Sequence, residues 1–175
     1  MSVDPAQLRI VVYPDPSLRR RAGPVDPNDE SVRAVARRMI ELMHEADGVG
    51  LAAPQVGLPW RVFVTNGREA DPVDRVYMNP RLHTDGEWET AEEGCLSLPD
   101  IRVDVRRPDA ARITAIGLDG SEFTCDLQGF MARVCQHEND HLDGVLIIDK
   151  MSPMDRLATR KQLKELEAAG PGIRL

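Results

Sequence analysis

Gln136-His137-Glu138-Asn139-Asp140-His141 is the stretch from which the rest of the chain can be read. It has the form H-E-x-x-H. Phe130, Met131, Val134 and Cys135 precede it at helical spacing and Gly144 follows as a C-terminal stop, so the pattern predicts a helix. Residues four apart on a helix share a face, and His137 and His141 can therefore offer ring nitrogens to one metal ion. Glu138 lies off that line yet can reach a water held on such an ion, which is the post of a general base. So short a motif also arises by chance, and its weight depends on its surroundings.

Working upstream, Glu122 to Leu127 and Ile113 to Leu118 flank Asp119-Gly120, a hairpin signal. Ile101 to Val105 alternates apolar and polar. Arg61 to Thr65, Val76 to Asn79 and Leu82 to Glu87 also read as strands, and Glu92 to Pro99 interrupts the pattern. Further back, Gly48-Val49-Gly50-Leu51-Ala52-Ala53-Pro54-Gln55-Val56-Gly57 reads as a loop of small residues that lets other atoms approach its backbone. Before it, Val32, Val35, Ala36, Met39, Ile40 and Met43 line one helical face. Asp26 is the expected cap of that helix, with Pro27 at its first position and Asp29 and Glu30 in its first turn. Leu8 to Val12 is a short strand, followed by the Tyr13-Pro14-Asp15-Pro16 turn and a basic loop at Arg19, Arg20 and Arg21.

Downstream, Val145 to Ile148 reads as a strand. Ser152-Pro153-Met154-Asp155 resembles a capping box that opens a C-terminal helix over 153–169, stopped by Gly170-Pro171-Gly172. Strands in runs around a few helices predict an α+β fold. Antiparallel sheets should pack around the central H-E-x-x-H helix, with one helix N-terminal and one C-terminal to them.

At 175 residues the chain is expected to form one domain over 1–175. A net charge of −7 argues against broad binding to DNA or to a membrane surface. Met1-Ser2-Val3-Asp4-Pro5 shows no basic region followed by an apolar run, and no stretch has the length of a membrane span. With Cys95, Cys125 and Cys135 as an odd set of thiols, a cytoplasmic location is expected.

Two histidines leave a catalytic metal one protein ligand short. One metalloprotease pattern would place a third His six residues after His141, but Ile147 stands there. A second pattern takes a Glu from a later helix, where Glu165 and Glu167 are available among Lys and Arg that would keep them solvated. A third candidate is Cys95. Its thiolate suits a borderline or soft metal, although a lone Cys is often only a small buried apolar residue.

Three stretches together resemble the signature motifs of the peptide deformylases: Gly48 to Gln55, Glu93-Gly94-Cys95-Leu96-Ser97, and Gln136 to His141. They stand in that family's order and at similar spacing, and the likeness runs from the Tyr13-Pro14 turn to the terminal helix. The resemblance implies an enzyme that removes the N-formyl group from the initiator methionine of new polypeptides, releasing formate. It implies Cys95, His137 and His141 as metal ligands, Glu138 as general base, and the Gln55 amide and Leu96 N–H as oxyanion donors. Gly50 and Gly94 match positions whose backbone bonds the substrate peptide, and Val49, Phe130 and Val134 match the lining of the methionine pocket. Fe2+ is the expected ion, with Ni2+, Co2+ or Zn2+ able to substitute. Formamide hydrolysis needs a nucleophile at neutral pH, donors aimed at the developing oxyanion, and a proton for the leaving amine, which these residue types supply.

Arg133 departs from the aliphatic residue that some members carry there. Glu93 and Arg102 match a pair that buttresses the Cys loop; two separate surface charges are the plainer alternative. Asp140 is equally readable as a residue that orients His137 and as half of a surface ion pair. Cys125 and Cys135 read as structural, and His44 and His83 as surface or helix-end residues. On the terminal helix, Arg156, Arg160 and Lys164 recur every fourth residue. Such a stripe is usually a solvated face; the alternative is a contact with ribosomal RNA phosphates, since a deformylase meets its substrate at the ribosome. The rival functions are a metalloprotease that uses Glu165 or Glu167, and a metal-binding protein without turnover.

Overall fold

A computed structural model describes residues 3–67 and 73–174. Residues 1–2, 68–72 and 175 of the expected domain lie outside the described ones. In chain order the elements are β1 (Ile10–Val12), α1 (Glu30–Glu45), β2 (Gly50–Ala52), β3 (Val62–Asn66), β4 (Asp74–Cys95), β5 (Leu98–Ile116) and β6 (Glu122–Gln128). Then come α2 (Gly129–Leu142), α3 (Ile147–Lys150), α4 (Pro153–Ala158), α5 (Arg160–Ala169) and β7 (Gly172–Arg174).

The five strands β2-β3-β4-β5-β6 form one antiparallel sheet in that order, and β1 pairs with β7 in a second. Strand alternation sends successive side chains to opposite faces. Leu51, Val62, Val64, Val76 and Met78 therefore meet Val35, Met39, Leu42 and Met43 of α1. Ala52, Phe63, Tyr77, Ile113 and Ala115 point the other way and pack with Cys135 and Leu142 of α2. Phe63 and Tyr77, direct partners in the ladder, stack at 4.5 Å, a contact that contributes about 0.5–1.5 kcal/mol beyond its buried area. The sheet thus lies between the two helices, and α2 is the central one, as expected. Beyond Trp88 and Pro108, β4 and β5 pair only with each other. This two-stranded arm turns Ile101, Val103 and Val105 inward onto Leu146, Ile147 and Ile148.

Several boundaries differ from expectation. Helix α1 is capped by Asp29, whose Oδ1 accepts from the Ser31 N–H at 2.8 Å; Asp26 instead closes the preceding turn by accepting from the Asn28 N–H. The helix ends through Asp47 at φ 53°, a left-handed position that Asp tolerates. The separate strands expected over 76–87 and 101–118 are parts of the two long strands β4 and β5. In β4 the turn-forming residues Asn79-Pro80 and Gly86 make register irregularities rather than ends. The Glu92 to Pro99 interruption is narrower than expected, because the ladder continues to Gly94.

The Gly48 to Gly57 loop contains the edge strand β2 and a 3-10 turn over Ala53–Val56. Residues 147–150 form α3 instead of a strand, with the Leu146 N–H donating to Asp149 Oδ2 at 2.8 Å; so short an apolar run does not distinguish the two by periodicity. The terminal helix is two helices broken at Thr159, and Ser152 caps the first by accepting from the Asp155 N–H. Gly170 stops α5 as expected, but the chain then returns as β7. Gly144 ends α2 at φ 73°, where a Cβ would meet the Arg19 carbonyl oxygen at 2.6 Å. Among the described residues no helix is long and apolar enough to cross a membrane.

Candidate metal centre

Helix α2 places His137 and His141 one turn apart on the face that looks toward the end of the arm. Between Gly94 and Cys95 the β4–β5 register shifts, which takes Cys95 off the regular ladder and toward that helix. The Cys95 Sγ lies 3.3 Å from His141 Nε2, and the three ligand atoms of Cys95, His137 and His141 fall within 4.8 Å of one another. They are the one such group among the described residues. Sulfur and nitrogen on one tetrahedral ion stand roughly 3.5 Å apart, given the usual bond lengths, so the donor set fits a small divalent ion. Burial holds His141 neutral, well below its ordinary pKa, and its Nδ1 is buried with no hydrogen-bond partner.

His137 is oriented by Glu93. The Nδ1 of His137 lies 3.0 Å from Glu93 Oε2, and hydrogen bonding there leaves Nε2 as the nitrogen turned toward a metal. Glu93 is itself fully engaged. Oε1 accepts from Arg107 Nε at 2.7 Å and from Arg133 Nη1 at 2.8 Å, and Oε2 accepts from Arg107 Nη2 at 3.0 Å as well as from His137. A carboxylate has about four such acceptor positions, and here each has a donor. Burial works against the Glu93 charge, but hydrogen bonds from His137 and Arg107 outweigh it and hold the carboxyl well below the usual range.

This network corrects one expectation and, for Asp140, bears out the ion-pair alternative. Arg102 does not pair with Glu93; it points outward, 3.5 Å from the exposed Glu92. Asp140 does not orient His137; it accepts from Arg107 at 2.7 Å and pairs with Lys150 at 2.6 Å. Arg107 went unnoticed in the Arg106-Arg107 pair, yet it shares strand parity with the inward-facing Val103 and Val105. That parity was the available signal.

Glu138 lies behind β2. It is buried, and Oε2 has no hydrogen-bond partner. Gly50 makes room for it, since a Cβ on Gly50 would overlap the Glu138 carboxylate. Burial, only partly opposed by the His137 charge, pushes the Glu138 carboxyl up to about 7. Gln55 is buried with Oε1 accepting from the Ala52 N–H at 2.8 Å, which assigns the two ends of its amide. Its Nε2 then faces Cys95 Sγ at 3.5 Å and Ser97 Oγ at 3.3 Å.

Most of these groups border one open cavity of about 940 Å³. Val49, Gly50, Gln55, Gly94, Cys95, Leu96, Phe130, Val134, His137 and Glu138 line it, so it gathers every expected site residue except His141, which is buried beneath. Phe130 stands at its mouth, 56% exposed. Arg133 lines the wall while its guanidinium is held on Glu93, the Val105 carbonyl and the Glu89 carbonyl. Glu165 and Glu167 are not part of this set: Glu167 accepts from the Tyr13 hydroxyl at 2.9 Å, and Glu165 lies 3.8 Å from Lys161. His44 has a partner that the sequence did not suggest, Asp74 at 2.8 Å.

The polypeptide deformylase family pattern matches residues 7–157. A peptide deformylase of Thermotoga maritima is 48% identical over 159 residues, which are 90% of this chain and 95% of the relative. A plant peptide deformylase crystal structure superposes with a TM-score of 0.89 at 36% identity, covering 97% of this chain and 93% of that one. A Plasmodium falciparum peptide deformylase, solved in complex with an inhibitor, gives a TM-score of 0.83 at 38% identity over 91% of this chain and 99% of that one.

Proposed function

Because the chain belongs to the peptide deformylases, metal-dependent hydrolases that remove the N-formyl group from new polypeptides, we propose that the Cys95 corner of its cavity is where that reaction takes place. The observation that carries this reading is the convergence of Cys95, His137 and His141 beside a buried Glu138 in one cavity. Cys95, His137 and His141 would hold the ion, which we assign as Fe2+, with Ni2+, Co2+ or Zn2+ as substitutes; thiolate with two imidazoles suits all of them. When bound, such an ion supplies Lewis acidity, which lowers the pKa of water.

The protein's own groups do the rest. Glu138, buried against Gly50 with its Oε2 unpartnered, takes a proton from the attacking water and returns it to the departing amine, so that formate and a free N-terminus result. The Gln55 Nε2–H and the Leu96 N–H donate to the formyl oxygen as it gains charge. Gln55 is held in advance by Ala52 and reorients little. The edge strand β2 borders the cavity, which supports a formylmethionyl peptide lying beside it as an added strand, bonded by the backbones of Gly50 and Gly94. Val49, Phe130 and Val134 flank the methionine side chain.

We further read 1–175 as one catalytic domain acting in the cytoplasm, on the strength of its free thiols. Arg156 on α4 and Arg160 and Lys164 on α5 are all exposed, which supports a phosphate contact on the ribosome; merely solvated charges are the alternative. Co-sedimentation with ribosomes that is unchanged when all three become Glu would remove that contact.

The test of the reaction is formate release from formyl-Met-Ala-Ser by protein prepared without oxygen. Wild type should release formate, Cys95→Ala should lack metal, and Glu138→Ala should keep its metal while losing about 10²–10⁴ in turnover. Cleavage of an internal peptide bond, or full metal content in Cys95→Ala but not in Glu165→Ala, would point to the protease instead.

A further inference from the structure

The Arg133 guanidinium bonds three groups on two strands, β4 and β5. Nη1 donates to Glu93 Oε1 and to the Val105 carbonyl, both at 2.8 Å, and Nη2 donates to the Glu89 carbonyl at 2.9 Å. Its side chain is 13% exposed; the two Nη1 bonds are part-buried and the Nη2 bond to Glu89 is exposed. A planar five-donor fork can serve three acceptors at once, which a Lys ammonium at this position cannot match. The stem meanwhile forms part of the cavity wall with Phe130 and Val134.

The consequence lies in what Glu93 would lose. Arg107 grips both carboxylate oxygens, and that pair alone would permit the carboxylate to tip about its own axis. The second donor on Oε1 comes from Arg133 and the second on Oε2 from His137, and these stand at opposite ends of the group. Arg133 thereby opposes the pull that would let Oε2 drift from His137 Nδ1. We propose that Arg133 is a positioning residue of the metal centre: from the wall of the substrate cavity it fixes the Glu93 carboxylate, which in turn fixes the His137 ring. This rests on the reading that Cys95, His137 and His141 hold the ion. It also gives a reason for a cation at a position that lines an apolar pocket: its charge is directed behind the wall, onto Glu93.

Partners that orient a ligating His typically contribute 10–100-fold to metal affinity. Co2+ titration of the metal-free protein tests the proposal, read by visible absorption and by competition with a chelator. Arg133→Leu should weaken Co2+ binding by about 10–100-fold and shift the ligand-field bands, while the thiolate-to-cobalt band persists. In a Glu93→Gln background the same substitution should have little further effect, because the route through Glu93 is already broken. An unchanged affinity and spectrum in Arg133→Leu would overturn the proposal. So would an equal loss in the Glu93→Gln background, which would mean that Arg133 acts only by tying Glu89 and Val105 together. Should Glu93→Gln not fold, Arg133→Lys decides. It keeps a donor for Glu93 and gives up the fork, so affinity close to wild type supports the proposal, and a loss equal to that of Arg133→Leu overturns it. Cobalt bands that survive in Cys95→Ala would instead sink the metal-centre reading itself, which separates the two failures.

Discussion

The two faces of the β4–β5 arm carry nearly the same residues and use them in opposite ways. Glu92 and Glu93 are neighbours in sequence, as are Arg106 and Arg107. On the outer face Glu92 lies 3.5 Å from Arg102 and both are exposed, while Arg106 rests over the ring of Trp88, itself 59% exposed. On the inner face Glu93 and Arg107 form a two-point ion pair at side-chain exposures of 5% and 3%, with every acceptor position of Glu93 taken. One step along a strand changes the face, and the face decides whether a charge needs partners. In water an ion pair gains little over its hydrated parts. Away from water, removing one member strands the other.

The contrast is sharpest under deletion. Glu93→Ala leaves Arg107 and Arg133 facing each other without their carboxylate, and should cost about 3–5 kcal/mol of stability in urea unfolding. A loss as small as that of a surface variant would break the comparison. Acid sharpens it next. Hydrogen bonds from His137 and Arg107 hold the Glu93 carboxyl far below its ordinary pKa, so its contribution is fully present above the unfolded value. The stability difference between wild type and Glu93→Gln, in metal-free protein, should not fall between pH 7 and about pH 4.5, where an unfolded Glu begins to bind protons. Below that it should shrink by up to about 1.4 kcal/mol per pH unit. A difference that already declines between pH 7 and pH 5 would show that Glu93 is not held in its charged form. The smallest effect belongs to the outer face: Glu92→Ala and Arg102→Ala should each change stability by about 0.5 kcal/mol or less and leave Co2+ affinity unaltered. A tenfold loss of Co2+ affinity in Arg102→Ala would restore that residue to the buttressing role that its spacing suggested.

That spacing shows where reading the chain works and where it stops. The helix of α2, its Gly144 stop and the Asp119-Gly120 hairpin follow from local rules, and each stands where the pattern put it. The histidine pair is legible because four residues along a helix is a fixed displacement. Partners from separate strands have no such arithmetic. Glu93 found Arg107 rather than Arg102 because the pairing register sets Arg102 beside Gly94 on the outer face and sends Arg107 under the arm toward α2. The expected strand at 145–148 became a helical turn for a similar reason: four apolar residues carry no period of their own, and their packing against Leu18, Val103 and Val105 decides the matter.

By itself the sequence determined most of the order of strands and helices, the pairing of His137 and His141 on one helical face, and the family, because all three are written in residue types at short, fixed intervals. The tertiary structure alone decided that β4 and β5 are continuous, that the chain end returns as β7 to pair with β1, and that Glu138 sits against Gly50. It also decided which of several acidic and basic residues enclose His137. Those outcomes depend on which strand lies beside which and in what register, and on which face is withdrawn from water. Burial then turns an ordinary Glu and two ordinary Arg side chains into a fixed support for the His137 ring.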